Sequence, residues 1–264
     1  MEASSPLFFE RYELKYLIPE SMIEPISQYA ETYCVLDPYS DRSPDKYYGV
    51  NNLYLDSPNY LFLERRKAGM DDRFNLRIRS YGENPVPPYF FEVKFKSRGF
   101  IKKKRAKVSG DNWADELNGI VDPTFEGEGL NSDYKNTFLR LVQAYNAGPK
   151  VYTQYKRKAY LSVYDDYARV TFDKQLRYMR KEHYDLTPVE GQMSAYDFET
   201  NYREGANIIL ELKCTSRMPM WMIDLIGYFN LERTSFSKYM TGVNEVIPDY
   251  YAPKLDNISP HFGK

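Results

Sequence analysis

Arg, Lys and a few carboxylates recur in this chain at alternate positions of short runs whose intervening residues are apolar, a period of two that puts them on one face of a β-strand. Arg11, Glu13 and Lys15 alternate with Tyr12, Leu14 and Tyr16. Asn75, Arg77 and Arg79 alternate with Leu76 and Ile78, and Glu92, Lys94 and Lys96 with Phe91, Val93 and Phe95. Lys103, Arg105 and Lys107 follow, then Tyr155 and Arg157, then Arg169, Thr171 and Asp173, and finally Glu211 and Lys213 opposite Leu210 and Leu212. One such strand alone is what a half-solvated antiparallel sheet looks like. Repeated through most of a sheet, with Arg and Lys in place of the usual mixture of Ser, Thr, Gln and Asn, the pattern points to a bound anion. Two like charges about 6 Å apart repel by roughly 3 kcal/mol at an effective dielectric of about 20, so massing them without a counter-ion is costly and a polyanion relieves the cost.

The carboxylates extend the chemistry. Glu13, Glu92, Asp173 and Glu211 share faces with the cations, and oxygen ligands of this kind bind Mg²⁺ or Mn²⁺ together with substrate phosphates. Salt bridging to Arg or Lys is the other reading open to each of them; Glu211 is the first choice for a metal ligand. Such a site stabilises charge on a transferring phosphoryl group by clamping it between cations and metal, with no protein nucleophile. His183 and His261 stand isolated, Cys214 follows the Glu211 strand as a small core residue, and neither GxxxxGK[ST] nor GxGxxG occurs, so phosphate binding has to rest on side chains.

The elements that must position these residues follow from the same periodicity. Strands are expected at 8–17, 48–55, 73–81, 89–96, 100–108, 151–163, 168–173 and 207–214. Helices are expected at 20–33, where Met22, Ile26, Tyr29 and Tyr33 share a face, at 56–69, opened by Asp56-Ser57-Pro58, at 132–146, at 219–229 and at 236–246. The apolar strand faces need cover, and an eight-stranded antiparallel tunnel, closed as a barrel with charges inside and helices outside, satisfies both demands in an α+β fold. The competing geometry is an open sheet with one charged face in water. No internal linker divides the chain, so residues 1–247 read as one domain and 248–264 as a loose tail.

The 264 residues carry 36 Lys plus Arg against 37 Asp plus Glu, a net charge of −1 that argues against nucleic acid as a partner and requires any cationic site to be segregated locally. Cys34 and Cys214 lie far apart outside any CxxC spacing, which fits a reducing compartment. Without a signal peptide or a run of about 18 apolar residues, a cytoplasmic chain with no direct membrane insertion is expected.

Seven segments in order then resemble one family. Arg11-Tyr-Glu-Leu-Lys15-Tyr16, Leu53-Tyr54-Leu-Asp56-Ser57, Leu76-Arg-Ile-Arg79, Phe91-Glu-Val-Lys94, Tyr155-Lys-Arg157, Ile209-Leu-Glu-Leu-Lys213 and Phe236-Ser-Lys238-Tyr follow the succession seen in VTC domains, members of the triphosphate tunnel metalloenzymes and relatives of the CYTH phosphatases. The resemblance implies a basic tunnel that holds phosphates beside a divalent metal, and synthesis of polyphosphate from a nucleoside triphosphate, usually ATP. Carried across, it implies that Lys15, Arg77, Arg79, Lys94, Arg157 and Lys238 act on phosphates in catalysis. Arg11, Tyr54, Lys103, Arg105, Tyr155, Arg169, Lys213 and Ser237 then bind substrate, and Glu211 holds the metal with Glu13, Glu92 and Asp173 available beside it. The basic run Lys102 to Arg105 leaves the register of its strand open.

The first strand has Glu13-x-Lys15 and lacks the longer Glu-x-Glu-x-Lys of the CYTH phosphatases, which favours transfer over hydrolysis. The membrane segments and N-terminal phosphate-sensing domain of eukaryotic members have no counterpart in the sequence, so the domain is expected to act alone or with partners, a membrane protein among them. A triphosphatase of the same fold and a polyphosphate-binding module without turnover are the alternative functions.

Overall fold

A computed structural model of the chain describes residues 12–97, 100–110, 112–119, 129–165, 167–196, 207–215, 217–247 and 250. The strands are β1 (Tyr12–Ile18), β2 (Cys34–Leu36), β3 (Tyr48–Asp56), β4 (Arg73–Tyr81), β5 (Tyr89–Ser97), β6 (Phe100–Val108), β7 (Gly148–Ser162), β8 (Ala168–Arg180), β9 (Ser194–Ala195) and β10 (Ile208–Cys214). The helices are α1 (Ile23–Glu31), α2 (Pro38–Arg42), α3 (Leu61–Lys67), α4 (Trp113–Leu117), α5 (Leu130–Ala144), α6 (Met220–Tyr228) and α7 (Lys238–Val246). Eight strands form one curled antiparallel sheet in the order β1-β10-β8-β7-β3-β4-β5-β6, with β2 and β9 as short additions to β7 and β8.

The apolar residues of each strand share the outer face and pack under helices. Leu76, Ile78, Phe91, Val93 and Ala106 meet Phe138, Leu139 and Val142 of α5 and Trp113 of α4. On the other half, Tyr16, Leu210, Leu212, Val170 and Phe172 meet Ile26 and Ala30 of α1 and Trp221, Met222 and Leu225 of α6. Helix α7 is placed differently. Its Tyr239 and Val243 lie with Val50, Tyr54, Val151, Tyr155, Tyr178 and Ile209, residues of the charged side of the sheet, so it plugs one end of the concave face.

The expected closed barrel is not formed: β1 and β6, the two ends of the strand order, do not pair, and the sheet is an open half-barrel. The physical reason lies in what occupies the two free edges. On β1, Lys15 C=O accepts from Thr234 N–H at 2.8 Å and Tyr16 bridges Arg233. On β6, the Asn131 side chain accepts from Lys107 N–H at 2.7 Å and donates to Lys107 C=O at 3.1 Å, doing with one amide what a neighbouring strand would do. With their edge groups satisfied, neither strand needs the other.

Two element boundaries differ from expectation for local reasons. Helix α3 begins at Leu61, later than Asp56-Ser57-Pro58, because Asp56 caps it from a distance, accepting from Phe62 N–H at 2.9 Å and Leu63 N–H at 3.0 Å, with Tyr60 left-handed between them. Strand β8 runs on to Arg180 through a bulge in which Gln175 is left-handed and the register against β7 shifts between Gln154 and Lys156. Past the bulge, Leu176 and Tyr178 take over the concave face. The loose tail expected at 248–264 lies outside the described residues apart from Tyr250, whose ring meets Tyr60 edge-on at 4.9 Å.

Candidate functional site

The concave face carries two linked charge clusters. The first centres on Glu92 of β5, which is 1% exposed. Cross-strand pairing sets Arg77 of β4 and Arg105 of β6 beside it. Arg77 Nε lies 2.6 Å from one carboxylate oxygen, Lys103 Nζ and Arg105 Nη2 lie 2.6 Å from the other, and Arg79 Nε stands at 4.0 Å. Burial pushes the Glu92 carboxyl up, but these four cations, Arg77 foremost, outweigh it and hold the group well below the ordinary carboxylate range.

The second cluster spans β1, β10, β8, β7 and the first residue of α7. Arg157 donates to both oxygens of Asp173 at 2.6 and 2.7 Å and reaches Glu211 at 3.4 Å. Lys238 lies 2.6 Å from Asp173 and 3.4 Å from Glu211. Lys213 lies 2.6 Å from Glu211, and Lys15 lies between Glu211 at 3.5 Å and Glu13 at 3.2 Å. Glu13 also receives Lys94 at 2.8 Å. Glu211 is buried, which raises its carboxyl, yet Lys213, Lys238, Lys15 and Arg157 together leave it well below the usual range. Lys238 shows the converse: burial lowers it, and Asp173 and Glu211 more than restore the charge.

Across both clusters nine cations (Lys15, Arg77, Arg79, Lys94, Lys103, Arg105, Arg157, Lys213 and Lys238) face four carboxylates. The concave face therefore holds a surplus of positive charge in a chain whose net charge is −1. The carboxylates keep the cations in register, and what remains over can be matched by a polyanion.

Other expected residues take supporting places. Tyr54 accepts from Arg77 at 3.3 Å while its ring stacks on Tyr239 at 5.2 Å. Tyr155 accepts from Arg79 at 3.4 Å, and its ring carries Lys238 at 4.7 Å and Arg157 at 5.4 Å. Ser237 caps α7 by accepting from Met240 N–H at 3.4 Å, which leaves its hydroxyl proton free to donate. Arg169 shares the face at the rim, exposed and 5.5 Å over the Tyr167 ring. Arg11 lies outside the described residues. The open register of β6 is fixed: Arg105 pairs with Glu92 and Lys103 with Lys94.

Sequence reasoning missed Asn52, Thr153 and Tyr81. Asn52 is fully buried, accepts from Arg79 Nε at 2.8 Å and donates to Thr153 at 3.1 Å, so it aims that guanidinium. Tyr81 accepts from Arg105 at 2.7 Å; burial raises its phenol, but Arg79 and Arg105 outweigh this and bring it down to about 8. The available signal was the same period of two, read on from Tyr54 to Asn52 and from Arg79 to Tyr81.

For a divalent metal the donors are of the right kind. Glu211, Asp173 and Glu13 offer hard oxygens on neighbouring strands, and buried Thr171, paired with Glu211 across β8 and β10, has a hydroxyl without a hydrogen-bond partner among the described residues. No group of three or more His, Cys, Asp or Glu suited to a metal occurs among the described residues. The donor set therefore fits a cation shared with phosphate oxygens and not one caged by protein alone.

No described helix is long and apolar enough to cross a membrane. In sequence the chain is similar to vacuolar transporter chaperone complex subunit 4 of Trypanosoma brucei brucei, with 21% identity covering 88% of this chain and 33% of that protein. The same subunit of Trypanosoma cruzi shows 22% identity over 83% of this chain and 30% of that protein. The chain thus spans about a third of the length of these relatives. In fold it is similar to a crystal structure of a proposed adenylate cyclase from Bacillus halodurans, with a TM-score of 0.50, 12% identity and coverage of 87% of this chain and 94% of that one. The model of the VTC domain matches residues 10–247, nearly the whole sequence and all seven of the ordered motifs, and the chain belongs to the VTC domain family.

Proposed function

We propose that this domain transfers phosphoryl groups from a nucleoside triphosphate, ATP, to a growing polyphosphate chain held along its concave basic face, with Mg²⁺ or Mn²⁺ as cofactor. The observation that carries the reading is the surplus of nine cations over four carboxylates on one face. A linear phosphate chain has negative charge at every unit and can follow such a face for its length, whereas a single carboxylate or phosphate cannot.

Arg77, Arg79, Lys103 and Arg105, set around Glu92, would hold the phosphates from one half of the sheet, and Lys15, Arg157 and Lys238 from the other half. Fixed cations on both halves of the concave face would align donor and acceptor. Glu211 would hold the metal jointly with phosphate oxygens, helped by Thr171, and the metal supplies charge neutralisation on the transferring group. No side chain has to act as a nucleophile.

The test is incubation of the purified chain with ATP and Mn²⁺ or Mg²⁺, followed by assay for an acid-labile phosphate polymer and for free orthophosphate, with Glu211→Ala as control. Polymer lost in the control supports transfer; orthophosphate without polymer means a triphosphatase. Pairing of every carboxylate on the face with cations favours a second reading, a polyphosphate-binding module without turnover. Tight calorimetric binding of tripolyphosphate with neither product would establish it.

A further inference from the structure

At the rim of the Glu92 cluster the basic face runs into a group of aromatic rings. Tyr39 of α2 lies on Tyr81 with centroids 5.4 Å apart and planes 25° apart, and on Tyr48 at 5.4 Å. Tyr81 meets Tyr48 at 6.0 Å and Phe90 at 5.6 Å. The cations of the phosphate face sit against the same rings: Arg105 is 4.7 Å over Phe90 and 5.8 Å over Tyr81, and Arg79 is 5.7 Å over Tyr81. Tyr39 is 53% exposed although it rests on two other aromatic rings, Tyr48 and Tyr81.

Its position is fixed by the fold. Asp37 caps α2 by accepting from Ser40 N–H at 2.8 Å and also accepts from the Tyr48 hydroxyl at 3.3 Å. The backbone of Asp37 donates to Ala159 C=O at 2.8 Å, and Ala159 N–H donates to the Ser40 hydroxyl at 2.9 Å, which ties α2 to β7 beside Arg157. An exposed ring held this firmly loses little freedom when something stacks on it.

We propose that Tyr39, backed by Tyr48 and Tyr81, is a stacking platform for the base of the donor nucleotide, with Arg79 and Arg105 receiving the phosphates that lead inward from it. The inference rests on the phosphoryl-transfer reading above and adds to it the place of the base and the direction of entry. The other end of the concave face is filled by α7, so the aromatic rim is the mouth at which a bulky nucleoside can stay while its phosphates enter. Stacking on a π-face tolerates any base, and the platform favours purines over pyrimidines through the larger overlap.

Calorimetry on the full chain with ATP and with tripolyphosphate, which shares the phosphates and lacks the base, separates the possibilities. Tyr39→Ala is expected to raise the Kd for ATP about ten-fold, the lower part of the range for loss of one base-stacking ring, and to leave the Kd for tripolyphosphate within two-fold. Tyr39→Phe keeps the ring and is expected to bind ATP as the unaltered chain does, which excludes a folding defect as the cause. An equal effect on both ligands, or none on ATP, overturns the platform and leaves the phosphoryl-transfer reading standing. Failure of the unaltered chain to bind tripolyphosphate overturns both.

Discussion

Glu13 and Lys94 form an ion pair 2.8 Å long although β1 is one edge of the sheet and β5 lies next to the other edge, with no backbone hydrogen bond between the two strands. The half-barrel is thus joined across its open seam by side chains, and Glu13 draws Lys94 and Lys15 toward the same point. Because Glu13 competes with any bound anion for these two cations, the two members of the pair should affect phosphate binding with opposite sign. Lys94→Met is expected to weaken tripolyphosphate binding about ten-fold in metal-free buffer, and Glu13→Gln to tighten it several-fold. Titration calorimetry at constant ionic strength reads both, and weakening by Glu13→Gln would show that the pair serves only to hold the seam.

Glu92 serves two opposed ends. It is the counter-charge that lets Arg77, Arg79, Lys103 and Arg105 converge, and it is also the charge a phosphate has to live beside. Glu92→Gln leaves those cations mutually repelling in a buried place, at a cost of about 3–5 kcal/mol without ligand. For a domain of this size that corresponds to a fall in Tm on the order of 10 °C. Tripolyphosphate should restore a larger share of the loss in the variant than the stabilisation it gives the unaltered chain, because it supplies the missing charge. Unchanged Tm without ligand would remove Glu92 from its central place.

How much of this could be read beforehand depended on whether a local period survived. The faces of β1, β4, β5 and β10 were legible because alternation runs unbroken through Glu13 and Lys15, Arg77 and Arg79, Glu92 and Lys94, and Glu211 and Lys213. On β8 it is interrupted: the strand is expected to end at 173, and beyond it the bulge at Gln175 moves the concave face from odd to even positions, so that Leu176 and Tyr178 face inward. Barrel closure was illegible for another reason. It is decided by partners distant in sequence, Asn131 on Lys107 and Thr234 on Lys15, and no local pattern announces them. The short helix α2 carries too few residues for a period, and with it the Tyr39 platform stayed hidden.

The acidic limb of stability should be steep. Glu13, Glu92, Glu211 and Asp173 are all held below their ordinary values in the folded chain, because nearby cations outweigh the effect of burial. A depressed folded value means stability that is fully present above the unfolded carboxylate range of about 4 and is lost as pH falls through the folded values. Thermal melts are expected to change little between pH 7 and 5 and to fall steeply below about pH 4, by up to roughly 1.4 kcal/mol per pH unit for each carboxylate that takes up a proton. Glu92→Gln should lessen that slope. A slope identical to the unaltered chain would mean that Glu92 takes up its proton at the same pH in the folded and the unfolded chain.

Helix α7 couples the plug to the site, since Lys238 at its first turn pairs with Asp173 and Glu211 while its later residues pack on the sheet. Its close approach depends on Gly242, where a Cβ would stand 2.7 Å from both Tyr178 Cδ1 and Val151 Cγ1, side chains that are themselves fully buried and have nowhere to move. In an open helix Gly→Ala is stabilising by up to about 1 kcal/mol. Here the overpacking, about 1–3 kcal/mol, should win and lift the helix from the sheet. Gly242→Ala is therefore expected to lower Tm by several degrees and to weaken tripolyphosphate binding through displaced Lys238, although residue 242 lies a full turn from that lysine. Gly242→Ala with a raised Tm and unaltered binding would show that the plug has slack and that Lys238 is held in place by its carboxylate partners alone.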